Sequence, residues 1–212
     1  MRGALQSLPV VGKAFMDLRP EEVWAFWRHM QDHYRTTVVN KRDALEMQLV
    51  AQVLDALRIQ SSDRFLKNYT TTFGRKLYTP FEVGKPQSGW DLWSQVLVCV
   101  HEHQHVVQHE REGLNYEVSY LSDRAARARW EAEAYRCNLE LHYWRYGVTP
   151  AVRPLASLLT EYGCRPIDVE VTAQNLALSA ASVRRGAIIN EATNIALLWL
   201  NEHVPHLRAK AG

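Results

Sequence analysis

Cysteine is scarce in this chain: Cys99, Cys137 and Cys164 are the three among 212 residues, far apart and with no CxxC pair. That spacing speaks against a disulfide framework and a zinc ribbon, and three reduced, buried thiols in a reducing compartment are expected. An excess of charge is also lacking. Lys and Arg total 25 against 23 Asp and Glu, and a net charge of +2 is too small to argue for a nucleic-acid partner. The arginine groups Arg124, Arg127, Arg129 and Arg184, Arg185 read as solvated helix faces. Long apolar runs are missing as well. The one near the C-terminus, Ile195 to Leu200, falls far short of the roughly 20 residues that cross a bilayer. In the first twenty residues Pro9, Gly12, Lys13 and Asp17 interrupt every apolar stretch, and no cleavage-site pattern follows. A cytoplasmic protein with no membrane or nucleic-acid partner is expected. No repeat or low-complexity segment stands out.

What is present is helical periodicity with one interruption. Arg19-Pro20-Glu21-Glu22 reads as a helix entrance, with Val23, Trp24, Phe26, Trp27 and Met30 supplying an apolar face. Leu45, Leu49, Val53, Leu54 and Leu57 recur at helical spacing from about Lys41 to Ile59, and Ser61-Ser62-Asp63 breaks the pattern. From Asn68 to Val83 the chain turns rich in Thr, Tyr and Phe around Gly74, which predicts a short hairpin or two edge strands. A loop from Gly84 to Gly89 leads into a central helix running from Trp90-Asp91 to Glu112 and ended by Gly113. A linker through Asn115 and Tyr120 then reaches a helix capped by Ser122 or Asp123 that ends near Gly147. Three further helices are expected over Pro150–Tyr162, Asp168–Ser182 and Gly186–Val204. The fold class is α+β, mostly α-helical, in a single domain. N-terminal helices fill 1–65, the β segment and motif helices 66–147, and C-terminal helices 148–212.

The chemistry concentrates in the run HEHQH. His101 and His105 are four residues apart, which on a helix sets both imidazoles on one face about 6 Å apart along the axis. Two imidazoles so placed can meet one zinc ion at about 2.0–2.1 Å each. Glu102, rotated about 100° from His101, lies beside such a metal and can accept a proton from water there. Ser94, Val96, Leu97, Cys99, Val100, Val106 and Val107 make this helix unusually apolar, as a buried metal helix needs to be. His103 points away from the pair and reads as an exposed or core histidine, and His109 heads no repeat of the motif. A third ligand is required. Glu131 and Glu133 both lie on the next helix, about 200° apart around its axis, so only one of them can reach the metal.

HEHQH followed by a helix bearing Glu131-Ala132-Glu133-Ala134-Tyr135 resembles the gluzincin clan of zinc metallopeptidases, whose third ligand is a glutamate on a second helix. The resemblance covers His101 to Glu140 and a little upstream. It implies a zincin-like core with a small β-sheet or hairpin before the motif helix, and Glu131 as the ligand, with Glu133 the alternative. Tyr135 stands where an acid or amide often stands, which leaves the support of the ligands open. Gln108 and Arg111 occupy the positions where the metzincin extension needs Gly and His, so that branch is excluded. The activity implied is hydrolysis of a peptide bond in a peptide or protein substrate by water activated on zinc, with Glu102 as general base. The oxyanion needs a further donor, for which Tyr116, Tyr120, His142 and His203 are candidates and Tyr120 is preferred. The segment Asn68–Val83 is a candidate ledge for an extended substrate, or a plain structural hairpin. Two other readings stand beside this one: a zinc-bearing binding or structural module without peptidase activity, and a helical interaction protein without metal.

Overall fold

Most of the chain folds as helices around one that is buried on every side. The computed structural model describes residues 18–45, 47, 48 and 69–209. In chain order the elements are α1 (Pro20–Tyr34), β1 (Thr37–Asn40), β2 (Thr71–Phe73), β3 (Lys76–Thr79), α2 (Leu92–Glu112), α3 (Leu114–Ser122), α4 (Arg124–Tyr146), α5 (Val152–Ser157), α6 (Pro166–Arg184) and α7 (Glu191–His203). No helix among the described residues is long and apolar enough to cross a membrane. The described cysteines are free and buried, as expected.

Local chemistry sets the ends of the helices that matter most. Asp91 caps α2 by accepting from the Ser94 amide at 2.7 Å, and Asp123 caps α4 by accepting from the Ala125 amide at 2.8 Å. Gly113 closes α2 with φ +60°, a conformation that costs a β-carbon-bearing residue, and the chain turns there directly into α3. Every residue of α2 from Trp93 to Val106 is buried. Helices α1, α4 and α7 and strand β2 pack around it. A helix enclosed on all sides must satisfy its polar groups within the protein. Gln95 does so by accepting from the Gly84 amide at 2.8 Å and donating to Lys85 O at 2.9 Å. Gln104 donates to Glu133 at 2.8 Å and accepts from the Ala192 amide at 3.3 Å.

The structure corrects the expected organisation in several places. The β element is a three-stranded sheet in the order β1–β3–β2, β1 parallel and β2 antiparallel to β3, rather than a hairpin alone. Its third member comes from Thr37–Asn40, four residues too few to show strand periodicity. Lys41–Asp43 is a 3-10 turn, so helix starts no earlier than Leu45. The remainder of that helix, from 49 to 59, and the break at 61–63 lie outside the described residues. The segment read as a linker through Asn115 and Tyr120 is helix α3. The expected helix over Pro150–Tyr162 is α5 followed by a 3-10 turn, Leu158–Tyr162. The last helix begins at Glu191 rather than at Gly186. Arg127 is not a solvated arginine. Its guanidinium donates to Tyr120 O, Leu121 O and Tyr162 O at 2.7–2.8 Å, capping α3 and tying it to that 3-10 turn.

Candidate metal centre

His101 and His105 project from the face of α2 that meets α4, and Glu131 from α4 completes a group of three. One ligand atom from each lies within 4.8 Å of the other two, and all three residues are buried. His101 Nε2 is 3.4 Å from Glu131 Oε2, and His105 Nε2 is 3.6 Å from Glu131 Oε1. Two donors bound to one tetrahedral zinc at about 2.0–2.1 Å stand about 3.3 Å apart, close to the two separations between the imidazoles and the carboxylate. Glu131 Oε2 is buried, and beyond the His101 ring 3.4 Å away it has no hydrogen-bond donor among the described residues. A buried carboxylate oxygen left without a donor is costly unless a cation faces it. Burial pushes the Glu131 carboxyl up, but His105 and His101 outweigh it and hold the group at about 2. For His101 burial pulls down, and Glu131 beside it, aided by Glu102, turns the balance upward. The carboxylate is therefore held as an anion by the two imidazoles beside it.

Glu133 takes no part in this group. Its carboxylate pairs with Arg111 at 3.0 Å and accepts from Gln104, both on α2, and so is taken up by these side chains instead of the histidine pair. His109 pairs with Glu117 on α3 instead of facing the triad. His103 is a core histidine: its Nδ1 donates to Cys99 O at 2.7 Å and its Nε2 accepts from Thr36 at 2.9 Å. Burial holds it down at about 4.

The side chains of this group are supported from three directions. Tyr120 donates to Glu131 Oε1 at 2.5 Å, so the hydroxyl expected to serve an oxyanion is committed to the carboxylate. Tyr116 comes within 3.1 Å of His105 Nδ1, and Gln108 Oε1 within 2.8 Å of the same atom. Gln108 in turn donates to Trp130 O at 2.9 Å. His101 is held differently: the Asn138 amide lies beside its ring and, with Glu131 and Glu102, turns its pKa upward. His142 and His203 bond to Val148 O and Trp199 O respectively, on their own parts of the helices.

Glu102 leans the other way, toward the sheet. Thr72 donates to its Oε2 at 2.7 Å and Thr70 donates to its Oε1. These threonines are residues that motif reasoning missed. The signal was there in the alternation of NYTTTF, since positions two apart in an extended chain share a face. Gln108 had a signal too, three residues after His105 and hence on the same side of the helix. Behind the strand, Lys41 Nζ donates to Thr71 at 2.7 Å. Burial pushes that ammonium down to about 7, with Glu102 pulling weakly upward.

Compared with protein-family models, with curated proteins and with solved structures, the chain matches none. The reading of this centre therefore rests on its own geometry.

Proposed function

We propose that the chain is a zinc-dependent hydrolase of the metallopeptidase kind, with His101, His105 and Glu131 as ligands and Glu102 as general base. The observation that carries this reading is the triad itself: three buried residues whose ligand atoms lie within 4.8 Å of one another, one of them a carboxylate whose buried Oε2 is faced only by the His101 ring among the described residues. Zinc bound there through three protein groups would supply a Lewis acid with a free position and bring the pKa of water down to about 7. Glu102, next to His101 but turned off the ligand face, would take the proton from attacking water and pass it to the leaving amine. Thr70 and Thr72 fix the direction of that carboxylate. Tyr120 orients Glu131 rather than stabilising an oxyanion. Strand β2 has β3 on one side and no strand on the other among the described residues. An extended peptide can add along that edge, past the threonines that hold Glu102. The substrate class is accordingly a peptide or protein, met in the cytoplasm.

One observation favours a second reading, a metal centre that holds helices together without turnover. Both oxygens of Glu102 accept from threonine hydroxyls, and the residue is only 5% exposed. A single experiment separates the two readings. Zinc is quantified in the purified chain, and a broad peptide library is then incubated with wild type and with Glu102→Gln. Bound zinc with cleavage that the variant loses supports the hydrolase. Bound zinc without cleavage supports the structural centre, and a chain that takes up no zinc overturns both.

A further inference from the structure

One side chain joins His105 to the backbone that carries Glu131. Gln108 stands one turn beyond His105 on α2 and is fully buried. Its two polar atoms have one partner each: Nε2 lies 2.9 Å from Trp130 O across the helix interface, and Oε1 lies 2.8 Å from His105 Nδ1 on the same helix. A peptide carbonyl only accepts hydrogen bonds, so the amide must turn its NH2 toward Trp130. That leaves Oε1 facing the imidazole, and an amide oxygen also only accepts. The proton must then sit on His105 Nδ1. In the neutral ring Nε2, the atom 3.6 Å from Glu131, is then left with its lone pair directed at the metal position. Tyr116 reaches the same Nδ1 at 3.1 Å, but a hydroxyl rotates to serve either tautomer, so it follows the choice and does not make it.

We infer that Gln108 is a positioning residue of the metal centre: anchored on the backbone of α4 at Trp130, it dictates the tautomer of His105 and locks that ring in register with Glu131. Its effect on metal affinity rests on the zinc reading above, while its control of the tautomer stands without it. The neighbouring Gln104 supplies a contrast. It too ties α2 to other helices, through Glu133 and the Ala192 amide, but it touches no ligand.

The test uses the full chain with 15N-labelled histidine. In the metal-free protein at mildly alkaline pH, long-range 1H–15N correlation reads which nitrogen of His105 carries the proton. Zinc affinity is read by competition with a chromophoric chelator. Wild type is expected to carry the proton on Nδ1. Gln108→Met is expected to give a mixture of tautomers and a zinc Kd raised about 10–100-fold, the usual cost of losing such a supporting partner. Gln104→Met is expected to lose stability with tautomer and Kd unchanged. Gln108→Glu keeps an acceptor for His105 but cannot donate to Trp130. It is expected to hold the tautomer and recover part of the affinity, and it decides the matter should Gln108→Met fail to fold. A proton on Nε2 in wild type, a Gln108→Met protein that keeps the proton on Nδ1, or a Gln108→Glu protein that loses it from Nδ1, overturns the inference. A wild type that binds no zinc yet carries the proton on Nδ1 overturns the metal reading and leaves the role of Gln108 in place.

Discussion

The two halves of the candidate site are built from different materials. His101, His105 and Glu131 stand on α2 and α4, long helices buried against each other, with Gln108, Tyr116 and Tyr120 bracing them. Glu102 stands on the same α2 but is held from the opposite direction, by Thr70 and Thr72 at the edge of a small sheet. Long helices packed on both sides have little freedom to shift, which suits a coordination sphere that tolerates errors of only a few tenths of an ångström. A three-residue strand on the rim of a sheet can adjust, which suits a group that must release a proton and meet a substrate. The difference teaches that metal affinity and turnover should fail separately when the two halves are perturbed.

The largest expected effect comes from the helical half. Glu131→Ala should weaken zinc by more than the roughly 100-fold that marks the upper end for supporting residues, while Glu133→Ala leaves zinc binding near wild type. Chelator competition on both variants measures this; equal losses would erase the distinction between the two acids. Next comes the base. Glu102→Gln should retain zinc and lower turnover about 10²–10⁴-fold, the usual contribution of a placed general base, read on any peptide that the wild type cleaves. Smaller again is the threonine pair. Thr70→Val with Thr72→Val should keep the metal and cost between about ten- and a hundredfold in turnover, since a base free to swing loses its geometry. If this double variant loses zinc instead, the two halves are one unit.

The smallest effect concerns stability on the sheet side. Lys41 is fully buried with its ammonium depressed to about 7, against about 10.5 in an unfolded chain. Between those values the unfolded chain binds more protons than the folded one, so stability rises with pH. The slope reaches at most about 1.4 kcal/mol per pH unit near the middle of that window. Below about pH 7 the cost of burying the charge is present in full. Lys41→Met should flatten the rise, as denaturant melts at a series of pH values between 7 and 10.5 would measure.

The features legible in the sequence were those repeated over many residues. Helices α1, α2, α4 and α6 announce themselves by long apolar periodicity and by caps at Asp91, Asp123, Gly113 and Gly147. HEHQH carried the histidine pair, and the downstream acid pattern carried Glu131. Helix α3 was hidden because its polarity is inverted. Tyr116 and Tyr120 turn inward to place hydroxyls on His105 and Glu131, while Leu114, Val118 and Leu121 face outward at 64–79% exposure. An apolar-inside rule reads such a helix as loop. The support of Glu102 was hidden for another reason: the alternation in NYTTTF sets Thr70 and Thr72 on one face, and only the packing of β2 on α2 shows what that face meets.

Position 84 has a consequence for descent. Gly84 has φ +80°, a β-carbon there would sit 2.9 Å from Pro20 O, and its amide is bound to Gln95. Those constraints leave glycine as the one residue the site admits. In diverged relatives that keep this core, mutation should spare Gly84 and Gln95 together, along with HEHQH, Gln108 and Glu131. Ancestry too old to show in overall resemblance would then survive as this spaced set of residues, which a genome search can look for directly.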